Sequence, residues 1–168
     1  RGICSPQLVV ALAEAGMLGF LGAAGLAPSE LETHLTNIGH SLNPRGLSWG
    51  SNLIHTPKHP ALEETLVDLY LQHDVRRVSA AAFMRITPSL VRYAAKGLTV
   101  QEGRITRRNH LFAKVSHPQT ARQFMSPAPQ SILKALLGQG ALTRDEVQLA
   151  ARVALAEDII VEGCQAAP

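Results

Sequence analysis

Four side chains stand out as able to hold or act on a ligand: Asn52, His55, Lys114 and Glu162. Asn52 offers two amide donors and an acceptor, His55 an imidazole, Lys114 a cation and Glu162 a carboxylate acceptor. A lysine fixed on a strand suits an electron-rich or anionic ring system. Gly22 and Ala23, followed by Ala24 and Gly25, add a small-residue loop where backbone can approach a ligand closely. Each has a plainer reading: Lys114 extends its head to water, Asn52 caps backbone, His55 is an exposed loop residue, and Glu162 simply pairs with Lys114. No nucleophile emerges: Cys164 has no histidine close in sequence to activate it, and Ser5 lacks a G-x-S-x-G setting.

These residues close short apolar runs. Trp49-Gly50-Ser51-Asn52-Leu53-Ile54 reads as a buried strand that runs out into His55 and the Thr56-Pro57 break. Four more strands are predicted at Leu18–Gly22, Val75–Ala82, Leu111–Ser116 and Asp158–Glu162. Helices separate them. The first opens at Ser5-Pro6 with Leu8, Val9, Leu12 and Ala15 on one face and ends at Gly16. The second opens at Pro28 with Leu31, Leu35 and Ile38 on one face. The third opens at Pro60, and others open at Thr87-Pro88 and His117-Pro118. Glu102-Gly103 between Val100 and Ile105 predicts a hairpin. Two helices, 130–137 and 145–153, follow the rigid Ser126-Pro127-Ala128-Pro129 break, and Thr143 with Glu146 forms a capping box for the second. Alternating helices and strands apolar on both faces predict an α/β fold with a parallel sheet, either doubly wound or part of a barrel. In both, ligands lie at the carboxyl ends of the strands, where Gly22, Ala23, Asn52, His55, Ala82, Lys114 and Glu162 fall.

Composition narrows the classes. With 168 residues, 46% hydrophobic and 17% charged, the chain forms a core. Sixteen Lys and Arg against thirteen Asp and Glu, scattered and accompanied by only 4% aromatics, argue against nucleic acid. Its two cysteines, Cys4 and Cys164, have no metal spacing, and a cytoplasmic setting is expected. The longest apolar stretch is too short to span a membrane. No Gly-rich dinucleotide or phosphate-loop fingerprint follows any strand.

Seven segments carry a family resemblance when taken together with their order and spacing: Gly2–Val9, Gly16–Ala23, Asn52–Pro57, Pro60–Glu64, Val78–Phe83, Leu111–Ser116 and Ser126–Pro129. As a set they resemble the PfaD-type trans-acting enoyl reductases of polyunsaturated fatty acid and polyketide synthases, which are similar to nitronate monooxygenases. The resemblance implies a partial TIM (β/α)8 barrel, about strands 2–6, spanning 1–168 with a helical insertion at 126–155. It implies FMN as cofactor, NAD(P)H as reductant, and an enoyl thioester on an acyl carrier protein as substrate. On that pattern Asn52 binds the flavin, Gly22 and Ala23 line its cavity, Lys114 stabilises the reduced ring, and Glu162 completes the cofactor set. His55 falls on the substrate side, and Lys114 and His55 are the catalytic candidates. Two other readings stay open: a nitronate monooxygenase-like oxidase and a non-catalytic module that binds a carrier protein.

The chain also departs from the pattern. The family's opening strand would precede Arg1. After the sixth strand a run like Glu-Ala-Asp-Ser-Gly-Gly-His is expected, whereas the chain reads Glu162-Gly163-Cys164-Gln165-Ala166-Ala167-Pro168. Pro168 falls where the histidine belongs. Five of eight strands are expected, without the last two, whose loops hold the phosphate. The chain alone is therefore expected to bind FMN poorly and to be inactive.

Overall fold

A computed structural model describes residues 4–163. Contacts divide the chain into two compact units, with the boundary between Ser79 and Ala80.

In the first unit, α1 (Pro6–Glu14) starts as its sequence dictates. Ser5 caps it by accepting the Leu8 N–H at 3.3 Å, and Pro6 takes the first helical position. Its buried stripe is narrower than predicted: Val9 and Ala13 face inward, while Leu8 is 41% exposed. β1 (Gly19–Leu21) follows, then α2 (Pro28–Leu42), whose Leu31, Leu35, Ile38 and Leu42 are fully buried at helical spacing. A 3-10 turn at Asn43–Arg45 closes on Gly46 at φ 64°. β2 (Trp49–Ile54) pairs in parallel with β1, Phe20 opposite Gly50. α3 (Pro60–Gln72) buries Val67 and Tyr70 completely. Gly50 is required by packing: a Cβ there would lie 2.5 Å from the Arg77 carbonyl and 2.6 Å from the Phe20 ring.

The chain enters the second unit through β3 (Arg77–Ala81). α4 (Pro88–Ala95) is capped by Thr87, which accepts the Leu90 N–H. The predicted hairpin forms from β4 (Thr99–Gln101) and β5 (Arg104–Thr106), with Glu102 and Gly103 both at positive φ, as a tight two-residue turn needs. β6 (His110–Val115), α5 (Pro118–Phe124), α6 (Gln130–Gly138), α7 (Arg144–Ala150) and β7 (Asp158–Val161) complete it. Buried Asn109 donates to the Tyr93 and Lys96 carbonyls, both at 2.9 Å, fastening the start of β6 to the end of α4.

The five strands of the larger sheet lie in the order β1-β2-β3-β6-β7, the parallel arrangement that the alternation predicts. They are not apolar on both faces throughout. In β6, Leu111, Ala113 and Val115 are buried, whereas His110, Phe112 and Lys114 point to a half-buried face. In β2, Ser51 and Leu53 are buried, and Asn52 and Ile54 are partly exposed. The two faces of one strand thus do different jobs, one packing and one presenting polar groups.

Candidate functional site

Asn52 sits on β2, on the opposite face from Ser51. Its backbone is clamped: the Tyr70 hydroxyl donates to the Asn52 carbonyl at 2.7 Å and accepts from the Ser51 hydroxyl at 3.1 Å. Burial drives the Tyr70 phenol up to about 12, so it stays protonated and keeps donating. Among the described residues the Asn52 side-chain amide has no hydrogen-bond partner. Its two donors and its acceptor are thus available on a strand whose position α3 fixes.

His55 follows β2 directly. Its Nδ1 lies 3.0 Å from Glu63 Oε2, with side chains 10% and 4% exposed. The exposed-loop reading of His55 does not hold. Glu63, in the first turn of α3, escapes sequence reading as its partner because nothing in a spacing of eight residues marks a contact across a loop. Gly22 donates its N–H to the Cys4 carbonyl at 3.0 Å. With Cys4, Ser5, Gly25, His34 and Asn37, Gly22 lines a cavity of about 960 Å³ beside α1 and α2. Ala23 is buried at 5% exposure.

In the second unit, Lys114 and Glu162 come together. β6 and β7 pair in parallel with Lys114 opposite Ile160, and the Glu162 N–H donates to the Val115 carbonyl at 3.0 Å. This register brings Lys114 Nζ to 3.5 Å from Glu162 Oε1, with 36% and 51% of the side chains exposed. The pairing read from sequence as the plain alternative is therefore present. It also leaves the ammonium accessible at the strand end, where a paired cation can still meet an anion. Ala82, just past β3, is held at φ 62° without being glycine, an uncommon conformation that recurs at functional loops. Cys164 and the tail to Pro168 lie outside the described residues.

Among the described residues no three His, Cys, Asp or Glu side chains are placed to hold a metal ion. No helix there is long and apolar enough to cross a membrane.

Parallel strands alternating with helices define an α/β protein. No family model matches the chain. Over 163 residues it is 44% identical to the polyketide biosynthesis protein PksE of Bacillus subtilis (strain 168), covering 96% of the chain and 21% of that protein. It is 37% identical to the polyketide biosynthesis protein ThaF of Burkholderia thailandensis, covering 96% and 14%, and 40% identical to a polyunsaturated fatty acid synthase subunit of Thraustochytrium sp., covering 96% and 11%. The enoyl reductase domain of MlnA, from the macrolactin biosynthesis cluster of Bacillus amyloliquefaciens, superposes with a TM-score of 0.93 at 39% identity, over 97% of this chain and 37% of that one. The chain spans about a fifth of PksE and under two fifths of the MlnA domain structure. By sequence and by fold the chain is homologous to a segment of these polyketide and polyunsaturated fatty acid synthase proteins, the enoyl reductase domain of MlnA among them.

Proposed function

We propose that the protein is a trans-acting enoyl reductase of a polyketide or polyunsaturated fatty acid synthase, acting on an α,β-unsaturated thioester carried by an acyl carrier protein. The observation that carries this reading is the 0.93 superposition, at 39% identity, on an enoyl reductase domain. The cofactor in this reading is FMN, which when bound would carry hydride from NAD(P)H to the β-carbon of the thioester, with a proton added at the α-carbon. The protein works in the cytoplasm, where that reductant is available.

The residues fit such a group by their donor chemistry. Asn52 has an amide with no protein partner among the described residues, matching the mixed donors and acceptors on a flavin ring edge. Lys114 supplies the positive charge that favours an electron-rich ring, and Glu162 holds that ammonium in place from the neighbouring strand. His55, tied to buried Glu63, acts by holding the loop after β2 on the substrate side. Gly22 and Ala23 keep the loop after β1 free of bulk. Segment 126–155, containing α6 and α7, is an insertion beside the entrance.

The test is direct. The purified full-length protein is mixed with FMN, NADPH or NADH, and a crotonyl thioester on a carrier protein. Product two mass units heavier supports the reading. Oxidation of a nitronate with no thioester reduction would replace it with the oxidase reading. Carrier binding by a flavin-free protein would favour the non-catalytic module.

A further inference from the structure

The charges of this chain are not scattered evenly over its two units. The segment before Ala80 holds five Lys and Arg against seven Asp and Glu, and the segment from Ala80 onward holds eleven against six. Within the second unit, a groove of about 410 Å³ runs between the hairpin and α7, lined by Leu98, Thr99, Val100, Asp145, Gln148 and Leu149. Val100 is 56% exposed, a large aliphatic side chain offered to solvent. The hairpin and α7 carry exposed arginines on or beside them at three places: Arg104 on β5, Arg144 at the first position of α7, and Arg152 just beyond its end. None of the three guanidinium groups has an ion-pair or hydrogen-bond partner among the described residues. By contrast, half-buried Arg107 is engaged with the Leu155 and Ala154 carbonyls, and Lys96 with Glu146. The opposing charges nearby are Asp145 in the groove and Glu102 in the hairpin turn.

We infer that this hairpin–α7 groove is the docking surface for the acyl carrier protein, with the three arginines receiving an acidic helix of the carrier and Val100 packing against its apolar residues. Arginine presents a planar fork that pairs with carboxylates in two-point geometry, and unpaired arginines around an apolar centre form the usual rim-and-core layout of a transient interface. Opposite charge guides encounter, which suits a partner that must arrive, deliver and leave. The inference rests on the carrier-dependent reading above, and it locates that partner on the hairpin side of the insertion.

Binding and chemistry are read separately in the test. Fluorescently labelled apo-carrier protein, which lacks the phosphopantetheine arm and its phosphate, is titrated with the full-length protein and followed by anisotropy. A triple variant, Arg104→Glu with Arg144→Glu and Arg152→Glu, is expected to raise the Kd by about tenfold or more. Asp145→Asn is expected to lower it, and added salt to weaken wild type more than the triple variant. Reduction of a free short-chain enoyl thioester stays at the wild-type rate in the triple variant. If neither free nor carrier-bound thioester is reduced by any variant but the triple variant still loses the carrier, the docking surface stands and the reductase reading falls. An unchanged Kd in the triple variant overturns the inference. So does a parallel loss of free-thioester reduction, or a duplex oligonucleotide that outcompetes the carrier.

Discussion

Lys114 and Glu162 meet across neighbouring parallel strands, ammonium to carboxylate at 3.5 Å, although 48 positions separate them in the sequence. Both remain substantially exposed, so their pairing contributes little to stability. Its consequence is positional. Lys114→Met is expected to reduce NAD(P)H-dependent thioester reduction on the order of 10²-fold, the scale of removing one oriented electrostatic contact. Glu162→Gln, which leaves the cation but frees it, should give a smaller loss. Thermal melting of both variants should stay near wild type. A large drop in melting temperature for Lys114→Met would show that the pair serves the fold.

Asn52 combines a clamped backbone with an unpartnered amide. Asn52→Ala should weaken FMN binding by roughly tenfold, the loss of one or two hydrogen bonds at about 1–3 kcal/mol. Flavin fluorescence titration of the full-length protein measures it. Equal affinity in the variant would remove Asn52 from the cofactor contacts.

Gly50 should tolerate no side chain. Gly50→Ala places a methyl 2.5 Å from a backbone carbonyl of the adjacent strand, which cannot move aside as a side-chain tip does. Overpacking of this kind costs about 1–3 kcal/mol. Urea unfolding would show it as a lower midpoint with an unchanged slope.

Glu146 predicts how stability responds to acid. Burial alone would raise its carboxyl, but N–H groups of Gly97 and Thr143 at 2.8 Å and the nearby Lys96 ammonium outweigh burial and hold it below the usual carboxylate range. A folded value below the unfolded one means this stabilisation is complete above the unfolded carboxylate range, about pH 4.3, and is lost as pH falls through the lower folded value. Glu146→Gln should therefore be less stable than wild type at neutral pH, with the gap closing as acid protonates the folded carboxyl. A gap that persists under those acid conditions would assign the effect to packing.

Much of the fold could be read because its signals are local. The Ser5-Pro6 and Thr87-Pro88 starts, the Leu31-Leu35-Ile38 face, the Thr143 capping box and the Glu102-Gly103 turn each involve neighbours along the chain, and each appears as read. The boundary of β3 was less legible. Its strand begins at Arg77 rather than Val75, because Asp74 turns at positive φ and Val75 bonds back to Tyr70. The site was legible as a set of residue types at strand ends, but not as contacts. Glu63 beneath His55 and Tyr70 beneath Asn52 depend on a helix folding back over its strand, and no periodicity encodes which side chain arrives where. Glu146 shows the same limit: its capping role was readable, whereas its bond to Gly97, 49 residues away, was not.

The clamp that Tyr70 places on Asn52 makes α3 a silent party to whatever Asn52 holds. A ligand that steadies the amide also restrains the helix through one phenol, so occupancy should be written in the protection of α3 amides against deuterium. Tyr70→Phe would cut that wire without touching the amide. The ligand would still bind, and α3 would no longer register its arrival.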